Sequence, residues 1–193
     1  LIGPYSHGTA QGIPYSHHSN YQLDPVALEK DTEEITFQWF DYVFHNKARP
    51  SLLKDKVNYQ LMGSNSWQHH PSLQKLNQEG LRFYLNTTKD KDGHYQLSRI
   101  KPRELDFVSQ TVDLADRNST NNEAGMWPLI HKQLPKSNGL VFITEPLTEA
   151  MQLAGSITGH FSIAINKRDV DIGYNFYAIS PEGEVVFLSY YIG

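Results

Sequence analysis

A histidine follows a short apolar run at the start of the sequence. Leu1 and Ile2 lead into Gly3-Pro4-Tyr5-Ser6-His7-Gly8, so a Gly-Pro turn delivers the imidazole of His7 directly after an extended segment. Such a histidine can act as a general base when a serine hydroxyl lies within hydrogen-bond distance and a carboxylate holds its other ring nitrogen. We take His7 as the candidate catalytic residue. The alternative is a turn histidine that packs against neighbouring tyrosines.

The sequence does not supply the serine that this chemistry needs. A Gly-x-Ser-x-Gly nucleophile motif is missing, since the nearest match, Gly155-Ser156-Ile157-Thr158-Gly159, has isoleucine at its centre. Where a catalytic triad runs in the order serine, carboxylate, histidine, a chain that opens on the histidine leaves the other two members upstream. We therefore expect a fragment that contributes the histidine alone and is inactive by itself.

Other histidines and a pair of aspartates suggest a metal site, but their spacing argues against it. Neighbouring histidines on an extended strand point to opposite faces, and no His-Glu-x-x-His motif occurs. Asp169 and Asp171 share a strand face but supply too few oxygens for calcium, so we expect them to bond turn amides. The sequence predicts no metal and no cofactor. The histidines concerned are His17, His18, His69, His70, His94, His131 and His160.

Composition excludes several classes of partner. The 193 residues include 17 basic and 21 acidic side chains, a formal net charge of -4 and no cysteine. No basic stripe is present to neutralise phosphates, so nucleic acid is not an expected partner. No apolar stretch approaches the roughly 20 residues that cross a bilayer, so we expect no membrane insertion. A chain without cysteine has no disulfide or thiolate chemistry, and its compartment stays open.

A helix is predicted after a polar loop over residues 8–23. Asp24 is placed as its N-cap and Pro25 at its first position, and Asn46 to Pro50 end it. Its apolar face is wide. We expect this face to remain partly uncovered around Trp39 and Phe40, which makes a homodimer through it a reasonable hypothesis.

Many short strands follow the helix. From Lys56 onward the hydrophobic period changes from 3.6 to 2. We therefore place a domain boundary where the preceding helix ends, between residues 50 and 51. Turns at Lys91-Asp92-Gly93 and Ser180-Pro181-Glu182-Gly183 separate alternating segments, and a long loop is expected over 115–138. This pattern favours a jelly-roll β-sandwich over 51–193, incomplete at its end. The predicted strands are 56–62, 80–86, 94–100, 105–112, 139–144, 150–165, 170–179 and 184–192.

Several segments resemble, in order, the X-prolyl dipeptidyl peptidase and cocaine esterase family of serine hydrolases. The first is Gly3-Pro4-Tyr5-Ser6-His7-Gly8, which is similar to the family's Gly-Pro-Trp-Ser-His segment. Tyr5 replaces that tryptophan, and Ile172 and Glu182 are further departures from the family pattern. The other matching segments are Trp39-Phe40-Asp41, Val57 to Gly63 with Trp67, Leu140 to Leu147, Ala154-Gly155-Ser156, Asp169-Val170-Asp171 and Ser180 to Gly183.

The resemblance implies an architecture and an activity for the parent protein. Residues 1–50 would be the last strand and helix of an α/β-hydrolase catalytic domain, and 51–193 an accessory jelly-roll domain. His7 would be the triad histidine of an enzyme that cleaves an ester or an X-Pro peptide bond through an acyl-enzyme. The substrate would be a small peptide or ester.

A binding module is the alternative function. Jelly rolls often bind carbohydrate, and exposed aromatic side chains can stack on sugar rings, although packing in cores and interfaces is their commoner use. The β-domain would then hold a carbohydrate or another protein and carry out no catalysis. The aromatic residues concerned are Tyr15, Tyr21, Trp67, Trp127, Tyr190 and Tyr191.

Overall fold

The computed structural model describes residues 1–8, 12–77, 80–113, 115–117, 127–134 and 138–193. Within these ranges strands outnumber helices and form four small sheets, two with two strands and two with three. The predicted mostly-β fold class is therefore confirmed. The jelly-roll arrangement of the strands and the boundary after residue 50 stay predictions.

The chain divides into two compact units. The first comprises Leu1–Gln78, Met126–His131 and Ala154–Gly193, and the second comprises Glu79–Gly125 and Lys132–Leu153. His7 belongs to the first unit.

Two helices stand where the sequence predicts a single one. Helix α1 spans Pro25–Leu28 and helix α2 spans Thr32–His45. The break comes at Asp31, because its Oδ1 accepts hydrogen bonds from the backbone amides two and three residues further on and so caps a new helix. Helix α2 ends at Asn46, which adopts the left-handed conformation with a φ of 53°.

The apolar face of α2 is partly uncovered, as the sequence predicts. The exposed fraction is 49% for Phe40, 60% for Phe37 and 71% for Phe44. Among the residues of α2, only Thr32 is buried. Dimerisation through this face stays a prediction.

The segment predicted as a loop over 8–23 contains a short hairpin. Strands β1 (His17–His18) and β2 (Tyr21–Gln22) pair antiparallel. Between them, the Asn20 side chain donates to the Ile130 carbonyl at 2.8 Å and accepts from the Ile130 amide at 3.0 Å. The Asn20 amide therefore bonds the backbone of Ile130 as a neighbouring strand would.

A second hairpin follows α2. Strands β3 (Val57–Leu61) and β4 (Ser66–His70) pair antiparallel, with Asn58 opposite His69 and Gln60 opposite Trp67. The sequence predicts β3 but not β4, whose Ser-Trp-Gln-His-His composition shows no apolar alternation. Helix α3 (Leu73–Leu76) comes next in the chain.

The second unit contains a three-stranded sheet. Strands β5 (Tyr84–Lys89) and β6 (Tyr95–Ser98) pair antiparallel around the predicted Lys91-Asp92-Gly93 turn, in which Gly93 has a φ of 88°. Strand β8 (Phe142–Ile143) adds to β6 in parallel.

The other three-stranded sheet lies in the first unit. Strand β9 (Gly173–Ile179) and strand β10 (Val185–Ile192) form the predicted hairpin, and β7 (Ile130–His131) pairs with the start of β10. Val185 is 2% exposed and Phe187 is 8% exposed, so this end of β10 contributes to the core.

Two predicted strands are wrong. Residues 105–112 and 150–165 alternate in sequence, but neither segment is a strand in the structure. A strand needs a paired neighbour, and Leu105 and Phe107 instead remain strongly exposed. Of the long loop predicted over 115–138, residues 118–126 and 135–137 lie outside the described residues.

Within the described ranges, no helix combines the length and the apolar character that a membrane-crossing helix needs.

Candidate functional site

His7 lies exposed in a turn, five residues after a backbone contact with the hairpin β3–β4. The Ile2 amide donates to the Asn58 carbonyl at 2.8 Å, and the Gln60 amide donates to the Ile2 carbonyl at 3.0 Å. These two bonds form an isolated parallel bridge between Ile2 and Tyr59. The apolar run that the sequence predicts as a strand thus forms only this single bridge. The bridge attaches the chain to β3 shortly before the turn that contains His7.

Close packing fixes the segment between Ile2 and His7. A methyl group added to Gly3 would lie 2.5 Å from the Tyr5 ring and 3.1 Å from the Trp67 indole, so a larger residue there would displace the Tyr5 ring. Burial raises the pKa of Tyr5 to about 12. Its hydroxyl oxygen is buried without a hydrogen-bond partner among the described residues.

The loop that carries His7 returns to the same hairpin at Asp24. The Asp24 carboxylate accepts a hydrogen bond from the side-chain amide of Gln60, and a second from the Gly63 backbone amide at 2.8 Å. The predicted N-cap position of Asp24 is confirmed, but its side chain makes no capping bond to α1. The carboxylate instead bonds the β3–β4 hairpin. Burial, followed by the charge of this carboxylate, raises the pKa of Tyr21.

Helix α1 is bonded to the β3–β4 hairpin by two further contacts. The Val26 amide donates to Asn65 Oδ1 at 3.0 Å, and the Trp67 indole donates to the Val26 carbonyl at 3.1 Å. Gly63 and Asn65 have φ values of 79° and 50°, which shape the turn to receive these bonds.

A buried asparagine organises the start of β3. Asn58 is 2% exposed, and its Nδ2 donates to the Asp55 carbonyl at 2.6 Å. Its Oδ1 accepts from the Asp55 amide at 3.1 Å and lies 2.8 Å from His69 Nδ1. Because Oδ1 can only accept, His69 is the donor in that contact. Burial, followed by the nearby Lys54 charge, lowers the pKa of His69.

Other histidines make contacts of their own. His69 and His70 are neighbours on β4 with different contacts, since His70 stacks on Tyr59 at a ring separation of 6.0 Å. His18 meets the Trp127 ring at 5.2 Å. His17 Nδ1 lies 3.0 Å from the hydroxyl of its exposed neighbour Ser16.

One group of possible metal ligands is found within the described ranges. Asp90, Asp92 and His94 offer ligand atoms that lie within 4.8 Å of one another in the β5–β6 turn. Asp90 already accepts hydrogen bonds from the amides of Asp92 and His94, and the His94 ring lies 3.1 Å from it. The turn itself accounts for this grouping. Asp169, which the sequence suggests as one member of an aspartate pair, accepts a hydrogen bond from the Val170 amide.

Sequence reasoning missed the contacts that hold the His7 loop. Gln60 and Asn58 are polar residues inside a predicted strand. The alternation of apolar and polar residues predicts which side chains face the core, but it does not predict the hydrogen-bond partners of the polar ones. A signal was present at Asp24 and Gly63, because both types are common in turns. Their pairing spans 39 residues and is visible only in the fold.

The fold and these contacts define a mostly-β domain to which a histidine-bearing loop is attached at both ends. Residues 53–193 match the family model of the X-Pro dipeptidyl-peptidase C-terminal non-catalytic domain, and the chain belongs to that family. Neither the curated proteins nor the solved structures include one similar enough to add to this match. The match begins after His7 and includes every residue of the β3–β4 hairpin.

Proposed function

We propose that this chain is the C-terminal part of a serine hydrolase, in which residues 53–193 form the accessory domain and His7 is the triad histidine. The observation that supports this best is that a chain with a non-catalytic hydrolase domain also carries an exposed histidine on a loop tied to that domain. An exposed ring can face a cleft completed by another domain, whereas a ring enclosed in apolar packing cannot.

In the proposed mechanism His7 acts first as a base and then as an acid. Its ring takes the proton of a serine hydroxyl as that oxygen attacks the carbonyl carbon of an ester or an X-Pro peptide. The proton then passes to the leaving alcohol or amine, and an acyl-enzyme remains. Water, deprotonated by the same ring, hydrolyses the acyl-enzyme and restores both groups. The serine and the carboxylate that orients His7 belong to residues outside this chain.

Replacement of His7 tests the proposal. In the full-length protein, His7→Ala should abolish turnover of 4-nitrophenyl acetate and Ala-Pro-4-nitroanilide, with the melting temperature retained because the side chain is exposed. His17→Ala, at another exposed histidine on the same loop, is the matched control. Undiminished turnover by His7→Ala would remove the proposal. Preference for the anilide over the acetate would assign the peptidase activity.

Carbohydrate or protein binding by the β-domain is a second candidate function. It is favoured by Tyr191 on β10, which is 60% exposed and whose ring lies 6.2 Å from the ring of Tyr174. Trp67 does not support carbohydrate binding, because its indole donates a hydrogen bond to α1. Titration of soluble oligosaccharides into this chain, followed by tyrosine fluorescence, tests the carbohydrate case, and saturable binding lost in Tyr191→Ala is the expected result.

A further inference from the structure

One residue of the accessory domain contacts both ends of the loop that carries His7. The Gln60 backbone amide donates to the carbonyl of Ile2, just before the loop. Its side-chain amide donates to the carboxylate of Asp24, just after the loop. Residues 3–23 therefore begin and end at the same point of strand β3.

The Gln60 side chain is fixed in the orientation that this contact needs. Its Nε2 also donates to the Leu61 carbonyl at 3.0 Å, so both hydrogens of the amide group are used. Asp24 Oδ2 is held in turn by the Gly63 amide at 2.8 Å. Gln60 is partly buried, which limits competition from water for these bonds.

We propose that Gln60 is a positioning residue for His7, an inference that rests on the proposed function. A general base must stay within hydrogen-bond distance of its serine, and displacement of a reacting group by about 1 Å can cost roughly 100-fold in rate. Gln60 limits such displacement because it holds the start and the return of the loop together. The domain named as non-catalytic thereby sets the geometry of a catalytic side chain.

Two kinds of variant separate positioning from general stabilisation. Gln60→Met keeps the length of the side chain and removes its hydrogen bonds. Gln60→Glu removes both donated hydrogens and places two carboxylates together. The matched control is Gln68→Met on β4, a partly buried glutamine whose amide donates to the nearby Ser66 hydroxyl at 3.1 Å.

The experiment measures kcat, KM and their pH dependence in the full-length protein, normalised to the folded fraction. We expect Gln60→Met and Gln60→Glu to lower kcat by roughly 10- to 100-fold with KM nearly unchanged. We also expect the control to lose none of its turnover. Faster hydrogen exchange of the Gly63 amide in Gln60→Met provides a readout that does not depend on turnover.

The outcomes distinguish this inference from the function on which it rests. Loss of turnover in His7→Ala together with wild-type kcat in both single Gln60 variants overturns the positioning role alone. A lower melting temperature with unchanged kcat per folded molecule also overturns it, because that result describes a purely structural glutamine. Full turnover in His7→Ala, or none in the unaltered protein, overturns the proposed function and this inference with it. If Gln60→Glu does not fold, Gln60→Met still decides the question.

Discussion

At the scale of single residues, the region around His7 depends on polar groups that are buried and bonded. Asn58 uses both its amide nitrogen and its carbonyl oxygen, and its backbone carbonyl accepts the Ile2 amide. Removal of one partner from such a set leaves the other desolvated and unpaired, which costs more than the bond itself.

Asn58→Ala should therefore destabilise the fold. We expect a loss of about 1–3 kcal/mol in the free energy of unfolding, because the Asp55 amide and carbonyl lose their partner in a buried place. Urea unfolding of this chain measures the change. Asn175→Ala, at an exposed asparagine of β9, serves as the control and should change the free energy of unfolding by less than about 0.5 kcal/mol. Equal effects of the two substitutions would contradict the role of Asn58.

His69 should make stability depend on pH. Its pKa is lowered by folding from the ordinary 6.5, so the unfolded chain binds more protons than the folded chain between 6.5 and the lower folded value. Stability should then rise with pH through that window and fall on acidification below about pH 6.5. His69→Gln keeps a donor for Asn58 but does not titrate, so urea midpoints measured from pH 7 to pH 5 should vary less in this variant. An identical pH dependence in both proteins would exclude His69 as the cause.

The sequence reveals some of these residues more readily than others. Gly63 and Trp67 belong to a segment that resembles the family, and the structure explains why these two residue types occur there. Gly63 has a positive φ, and the Trp67 indole donates a hydrogen bond to α1. Gly155 is similar, because a side chain there would collide with Asn77. The role of Gln60 is not readable from sequence, since both of its loop contacts lie far away along the chain.

At the scale of elements, local signals were reliable where they act within a few residues. The turns at Lys91-Asp92-Gly93 and Ser180 to Gly183 were predicted because glycine supplies the positive φ that each needs. The strands over 105–112 and 150–165 were wrong because alternation shows that a segment suits a sheet but provides no neighbour to pair with. The break between α1 and α2 is not predicted, because an aspartate inside a helical pattern suits the polar face of one helix as well as the N-cap of another.

The cap at Asp31 allows a direct test of that break. Asp31→Ala should lower the free energy of unfolding by about 1 kcal/mol and reduce helicity at the start of α2, because two backbone amides lose their acceptor. Urea unfolding and circular dichroism measure the two effects. Asp31→Ser should retain most of the stability, since serine also caps helices. An unaffected Asp31→Ala variant would show that α2 begins without this cap.

At the scale of the whole molecule, the exposed face of α2 is an apolar surface for which a second copy of the chain is the predicted partner. Phe37, Phe40 and Phe44 are each about half exposed or more, and a second copy of the chain would remove their area from water. We expect analytical ultracentrifugation to give a concentration-dependent dimer that Phe40→Glu converts to monomer. Phe107→Glu alters an exposed phenylalanine in the other unit and should leave the dimer intact. A monomer at every concentration would reject the hypothesis.

The contact between Asn20 and Ile130 has a consequence for biosynthesis. Its two partners are separated by 110 residues, so the β1–β2 hairpin gains this contact only after more than half of the polypeptide has been translated. Domains generally fold as units while they emerge from the ribosome. The contacts of the segment between His7 and Asp24 are consequently completed only after a large part of the matched domain has been made.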